Sequence, residues 1–255
     1  MKLIQSRDNP FYKQLKKLAS SGRERRKAGQ TVLDGLHLLK AWEAARGPVD
    51  TPVVAESAIK GGEIADYLGG RHAIVLTDPL MRELGLVDTP SGVLAVVTTP
   101  SSPLAVDGRI DSILLDGVQD PGNVGTLLRT AAAAGVRQAL LGPGCASAWS
   151  PRVLRAGQGA HFVLDVHEDV DLSAFVRSYA GTVAVTCLDG AVSLYDAVWP
   201  TPLAWVFGAE GQGVRRELID LADLKVRIPM PGAVESLNVA AAAAVCLFEA
   251  VRRKT

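Results

Sequence analysis

The sequence predicts an α/β protein in two parts, a small N-terminal α/β domain and a larger C-terminal α/β domain on a mainly parallel sheet. Three observations predict it. Buried-type strand runs recur at 112–116, 138–142, 162–166, 182–187, 203–207 and 225–228. Helical stretches of about ten residues separate most of them, and such alternation builds βα units whose sheet is covered on both faces. Ahead of them, strand runs at 52–55, 73–76 and 93–98 alternate with helical stretches in a unit of their own. Between the two parts, Thr98-Thr99-Pro100-Ser101-Ser102-Pro103 has the Pro/Ser content of a linker. The domains therefore run 1–98 and 111–255, joined by 99–110, which suits a 255-residue chain at ~150 residues per domain.

In the first domain Asn9-Pro10 opens a helix, because proline is preorganised for a first turn, and Phe11, Leu15 and Leu18 recur at helical spacing as its apolar stripe. Thr31-Val32-Leu33 reads as a short strand and 35–45 as a helix. The whole chain is neutral, with 27 basic and 27 acidic residues, which by itself argues against a nucleic-acid partner. The distribution argues the other way. Residues 1–30 hold nine bases (Lys2, Arg7, Lys13, Lys16, Lys17, Arg23, Arg25, Arg26 and Lys27) against Asp8 and Glu24, a local charge of +7. Such asymmetry suits a basic patch for RNA, with Lys16, Lys17, Arg25 and Arg26 as phosphate contacts; a solvated helix face is the plain alternative.

Apolar residues at 48% and charged residues at 21% exclude intrinsically disordered and fibrous classes. No apolar run approaches the ~20 residues that cross a bilayer. Met1-Lys2-Leu3-Ile4-Gln5-Ser6-Arg7 leads into a charged stretch without an apolar signal core, so a cytoplasmic protein is expected. Cys145, Cys187 and Cys246 are odd in number and far apart, which disfavours a disulfide framework or a zinc site. No metal is expected, and the cysteines read as small buried apolar residues.

Ligands on a parallel sheet bind at the carboxyl ends of its strands, and three loops there are unusual. After Ile113-Leu114-Leu115 comes Asp116-Gly117-Val118-Gln119-Asp120-Pro121-Gly122-Asn123-Val124-Gly125 and a helix. Asn123 stands where an N-cap is expected, Gly135 ends the helix, and Val124, Leu127, Leu128 and Ala131 form its buried face. Thr126, Arg129 and Thr130 then share the other face, a polar group and a fixed cation suited to a phosphate or ribose hydroxyl. A capped helix with one surface arginine is the bland reading. After 203–207 comes Gly208-Ala209-Glu210-Gly211-Gln212-Gly213, whose glycines let backbone approach a flat ligand, with Glu210 as a loop carboxylate. A tight turn with Glu210 capping the next helix competes. The third loop is Arg227-Ile228-Pro229-Met230-Pro231-Gly232 followed by Glu235-Ser236-Leu237-Asn238. Its prolines hold backbone extended, with carbonyls free to accept from an amino group. Ser236 and Asn238 start a helix that is apolar nearly all round through Val251, and such a helix must be buried within the chain or against a partner.

Gln138 to Ser147 imitates a dinucleotide fingerprint, Gly142-Pro143-Gly144-Cys145-Ala146-Ser147, with Asp165 where a ribose-binding acid would stand. Serine replaces the third glycine, however, and Trp149-Ser150-Pro151 delays the helix that should receive the pyrophosphate.

Together the three loops resemble the SpoU-type (TrmH) family of RNA 2′-O-ribose methyltransferases of the SPOUT superfamily. The resemblance rests on Asp120-Pro121-Gly122-Asn123-Val124-Gly125 with Arg129, then Phe207 to Gly213, then Ile228-Pro229-Met230 with Ser236-Leu237-Asn238-Val239, and covers residues 108–252. The N-terminal part resembles that family's substrate-binding domain through Ser6-Arg7-Asp8-Asn9-Pro10 and a strand at Thr89-Pro90-Ser91-Gly92-Val93-Leu94-Ala95. Two departures are Ala240, where serine is frequent, and Asp34-Gly35, where Glu-Gly is usual. The resemblance implies a deep trefoil knot, against the ordinary rule that chains are un-knotted. It implies S-adenosylmethionine as cofactor, held at Gly208, Ile228, Met230 and Leu237, and a homodimer formed through the knot domain.

The resemblance further implies catalysis by Asn123, Arg129, Glu210, Ser236 and Asn238. Free guanidinium titrates above ~12, so Arg129 is better suited to clamp the neighbouring phosphate and stabilise a developing alkoxide than to act as a base. Asn123 and Glu210 would orient that arginine or the cofactor. The expected activity is methyl transfer to a ribose 2′-hydroxyl of RNA, ribosomal rather than transfer RNA because a separate RNA-binding domain is present. A catalytically idle RNA-binding or ribosome-assembly factor is the alternative on the same scaffold, and a nicotinamide oxidoreductase is a third reading.

Overall fold

The computed structural model describes residues 1–86, 91–100, 105–188 and 190–254. The chain divides into two units, one of Met1–Ser101 with Trp149–Phe162 and one of Ser102–Ala148 with Val163–Thr255. In chain order the first unit contributes β1 (Lys2–Ile4), α1 (Pro10–Ser20), α2 (Gly22–Ala28), β2 (Gln30–Asp34), α3 (Leu36–Arg46), β3 (Val53–Ala55), α4 (Glu63–Leu68), β4 (Ile74–Leu76), α5 (Asp78–Glu83) and β5 (Val93–Thr98). Next come β6 (Ser112–Asp116), α6 (Pro121–Ala133) and β7 (Gln138–Leu141) of the second unit, and α7 (Pro151–Gly157) of the first. The second unit then closes with β8 (Asp165–His167), α8 (Leu172–Ser178), β9 (Thr182–Thr186), β10 (Val192–Ser193), β11 (Leu203–Gly208), α9 (Arg216–Leu221), β12 (Leu224–Arg227) and α10 (Val239–Lys254). Thr89 and Pro90 of the expected strand start, and Ser101 to Pro103 of the expected linker, lie outside the described residues.

The first unit holds a five-stranded sheet in the order β1-β4-β3-β5-β2, parallel from β1 to β3 and antiparallel where β5 meets β3 and β2. Successive side chains of a strand face opposite ways, and both faces here are covered. Val32, Val53 and Leu94 enter a core with Tyr12, Leu15 and Leu18, whereas Leu33, Val54 and Ala95 enter another with Leu38, Leu39 and Trp42. That double burial explains strands that are apolar throughout. Helix α1 starts as expected, with Asn9 Oδ1 accepting the Phe11 and Tyr12 amides at 3.0 and 3.4 Å. Its fully buried residues are Tyr12, Leu15 and Leu18, with the expected Phe11 partly buried against the same core. Tyr12 can bury because its hydroxyl finds the Leu80 carbonyl at 3.2 Å.

The segment Trp149–Phe162 leaves the second unit between β7 and β8 and packs in the first. Thr31 Oγ1 donates to the Trp149 carbonyl at 2.6 Å, Leu154 is in the core, and Phe162 meets Trp42 edge-on at 5.4 Å. Arg155 Nη1 donates to the carbonyl and carboxylate of buried Asp34 at 3.1 and 3.2 Å, while Ser91 Oγ donates to the same carboxylate at 2.7 Å. The expected 162–166 strand is therefore shorter. Ala160–Phe162 is a 3-10 turn, because Phe162 serves the Trp42 contact, and β8 starts only at Asp165.

The second unit is a seven-stranded sheet in the order β10-β12-β9-β11-β6-β7-β8, and every pairing is parallel. Central β11 is buried along its whole length, as a strand covered on both faces must be. Helices α6 and α10 pack together. The N-cap of α6 corrects the expectation: Asp120, not Asn123, caps it, accepting the Asn123 amide at 2.8 Å with Pro121 in the first helical position. Asn123 stands in the first turn, and its side chain is free for other work.

Candidate active site

Strands β12, β9 and β11 are neighbours, so the segments after them converge at one end of the sheet. They enclose a cavity of about 900 Å³ lined from Thr186 to Leu188, Gly208 to Glu210, Gln212 to Val214, Ile228, Met230 and Glu235 to Val239. Gly208, Ile228, Met230 and Leu237 all line it, as do Glu210, Ser236 and Asn238.

Glycine at 208 is a steric requirement. A Cβ there would collide with the Gly213 carbonyl group and the Val214 amide nitrogen, so no side chain fits without moving backbone. The loop folds back on itself through a bridge between Ala209 and Gly213, whose amide donates to the Ala209 carbonyl at 2.8 Å, and Gly213 turns with φ +69°. This carries Glu210 out to meet Asn123, whose Nδ2 donates to the Glu210 carboxylate. Asn238 Nδ2 donates in turn to Asn123 Oδ1 at 3.0 Å. Asn238 also caps α10, its Oδ1 accepting the Ala240 and Ala241 amides at 2.9 and 3.4 Å. One residue from each of the three loops thus joins a single polar chain beside the cavity.

Arg129 is placed differently. It is exposed on α6, six residues beyond Asn123, a rise of about 9 Å along the helix axis, and is not among the cavity-lining residues. Thr130 spends its hydroxyl on the Thr126 carbonyl at 2.8 Å. Sequence reasoning missed Asp116 and Arg215, which are bonded to each other at the roots of the first two loops. It missed Cys187 as a half-buried cavity-lining residue as well; only Cys246 is fully buried, and burial pushes its thiol up to about 12. Among the described residues no group of three or more His, Cys, Asp or Glu could hold a metal ion.

The cavity is near the upper end of the ~300–1,000 Å³ typical of small-molecule sites. Val214, Ile228, Leu237 and Ala242 offer apolar wall to a flat ring, and the Glu210 and Glu235 carboxylates share the lining with the Arg216, Lys225 and Arg227 cations, so charged groups of either sign find a partner. A ligand with a flat ring and charged groups of both signs fits that lining. With an open polar edge and a partly apolar pocket at the strand ends of a parallel sheet, the unit is of the class of α/β domains that bind a small ligand at the carboxyl ends of their strands.

Residues 112–248 match the SpoU rRNA Methylase family, and the chain belongs to it. It is similar to the Bacillus subtilis (strain 168) 23S rRNA (guanosine(2553)-2′-O)-methyltransferase RlmP, 33% identical over 253 residues that cover 97% of this chain and 98% of that protein. The AdoMet-bound rRNA methyltransferase from Sinorhizobium meliloti superposes with a TM-score of 0.82 at 25% identity, covering 100% of this chain and 98% of that one. The SpoU methyltransferase AviRb from Streptomyces viridochromogenes, in complex with AdoMet, gives 0.83 at 27% identity, covering 96% and 98%. The chain is an S-adenosylmethionine-dependent RNA ribose 2′-O-methyltransferase, as the motifs implied.

Proposed function

We propose that the substrate is ribosomal RNA, that Asn123, Arg129, Glu210, Ser236 and Asn238 carry the transfer, and that Gly208, Ile228, Met230 and Leu237 hold the cofactor. The polar chain Glu210–Asn123–Asn238 at the rim of the cavity is the observation that carries this reading. When bound, S-adenosylmethionine supplies an electrophilic methyl group. Ser236 and Asn238 hold the ribose hydroxyl at the rim, and positioning of that kind supplies several kcal/mol of a two-reactant barrier. Glu210 fixes Asn123, and Asn123 fixes Asn238. Arg129, exposed one face round α6, clamps the adjoining phosphate and stabilises the alkoxide as its proton leaves.

The first unit is assigned to RNA phosphates through its basic segment, within a domain of residues 1–98 joined by 99–110 to a catalytic domain of 111–255 from which Trp149–Phe162 departs to pack in the first unit. Similarity to the B. subtilis rRNA enzyme over nearly the whole of both chains supports ribosomal RNA. The proposed compartment is the cytoplasm; among the described residues no helix is long and apolar enough to cross a membrane. The chain's C-terminal segment threads through a loop to make a trefoil knot. A second copy covers the exposed side of α10, where Ala241 and Phe248 face outward around half-buried Val245. Adenosylmethionine titration by calorimetry, then methyl incorporation into RNA from a deletion strain with mapping of ribose methylation, tests the reading. Cofactor binding without methyl transfer to any RNA would instead favour an idle assembly factor.

A further inference from the structure

We infer that Asp116 is the positioning residue of the active-site loops, holding the Gly208–Arg215 loop closed from both ends. Asp116 is the last residue of β6 and its register partner on β11 is Gly208, the first residue of the glycine loop. Its side chain, 4% exposed, reaches the far end of the same loop: one carboxylate oxygen accepts the Arg215 backbone amide at 2.8 Å and the other accepts Arg215 Nε at 2.7 Å. Both mouths of the loop therefore close on one residue. Asp116 also begins the segment that leads to Asn123, so the two loops that meet in the Asn123–Glu210 bond share this root.

The chemistry fits positioning better than plain stabilisation. A carboxylate buried at a strand end loses hydration that a half-exposed arginine only partly offsets, and an apolar residue would serve packing as well or better. What an apolar residue cannot do is accept two hydrogen bonds at a set angle and so fix where the chain re-enters α9. Without that grip the loop keeps its internal Ala209–Gly213 bridge, the Asn123–Glu210 bond at its tip and the buried Val214, but among the described residues nothing else fixes the backbone of Arg215 against the end of β6.

The inference rests on the adenosylmethionine reading of the cavity, and its test separates the two. In Asp116→Asn an amide NH₂ confronts one of the two Arg215 donors; Arg215→Ala leaves the backbone bond and removes only the guanidinium contact. Hydrogen–deuterium exchange on the ligand-free proteins should show faster exchange at residues 209–215 in both variants, with β7 unchanged. Calorimetry should show adenosylmethionine affinity at least tenfold weaker in Asp116→Asn and about threefold weaker in Arg215→Ala. Arg215→Lys, which can still reach the carboxylate, should recover most of the latter loss. If Asp116→Asn does not fold, Arg215→Ala decides alone. Loop exchange and affinity equal to a wild type that binds the cofactor would overturn the inference only. A wild type that binds no adenosylmethionine would overturn the cofactor reading and this inference with it.

Discussion

Nine bases crowd residues 1–30, and the structure sorts them into groups that should behave differently toward RNA. Arg7 and Lys16 both pair with Glu83 at 2.6 Å, and Lys13 pairs with Asp8 at 2.8 Å. Arg25 turns back on α1, donating to the Leu18 and Ala19 carbonyls at 2.9 and 3.4 Å. Lys2, Lys17, Arg23, Arg26 and Lys27 are exposed, and among the described residues no salt bridge involves them; Lys2 is on β1, and the other four are together on α1 and α2. Lys17 and Lys27 also line a cleft of about 320 Å³ between α1 and α2. We propose Lys17, Arg23, Arg26 and Lys27 of α1 and α2 as the principal phosphate contacts; of the four expected from sequence, Lys16 and Arg25 already have protein partners that phosphate would have to displace. Each phosphate contact contributes roughly 0.7–0.9 to the slope of log affinity against log salt, so changing all four to Gln should flatten that slope by about three. Across a fourfold rise in salt that amounts to a ~60-fold smaller loss of affinity for the variant than for wild type. Fluorescence anisotropy with a ribosomal RNA fragment between 50 and 200 mM KCl, as a choice of assay range, measures it. The Arg7→Gln, Lys16→Gln double variant should change the slope by less than about one unit, and adenosylmethionine affinity should be unchanged in both. A fourfold variant with the wild-type slope, or a double variant that flattens it as much, would refute the sorting.

Four further outcomes follow from individual contacts. Asp120→Ala should cost about 1 kcal/mol as a lost helix cap, whereas Asn123→Ala should leave the melting temperature nearly unchanged and depress methyl transfer, because Asn123 does not cap. Thermal melts beside a turnover assay distinguish them. Gly208→Ala should abolish adenosylmethionine binding by calorimetry, since the new methyl collides with the Gly213 carbonyl. Arg129→Ala should abolish turnover while cofactor affinity stays within a few-fold, because the residue is outside the cavity lining. At the end of α10, hydrogen bonds from Arg252 and then Arg253 hold the Glu249 carboxyl at about 2, below its ordinary 4.5. A lowered carboxylate stabilises the fold above its unfolded value and loses that contribution as pH falls from 4.5 toward 2, so Glu249→Gln should flatten the acid limb of melting temperature against pH.

Five strands of the large sheet (β6, β7, β9, β11 and β12), the start of α1 at Asn9-Pro10 and the glycine requirement of the Gly208 loop were legible in the sequence, because periodicity, capping and backbone freedom act over a few residues. The family motifs carried the reading on to the cofactor and the reaction. Short pieces escaped it: β1 and β10, three and two residues long, are strands only because β4 and β12 offer their edges. The order of the strands, and with it the meeting of three loops, was decided by tertiary structure. Asn123 meets Glu210 across 87 positions and Asn238 across 115, and Asp116 meets Arg215 across 99. The same holds for the return of Trp149–Phe162 to the first unit, where Thr31 bonds Trp149 across 118 positions. No local pattern encodes such pairs. A side chain's intrinsic preferences say that Asn can cap a helix or that Phe suits a strand, and only the partner that folding brings within 3 Å of Asn123, or within ring contact of Phe162, determines which use wins.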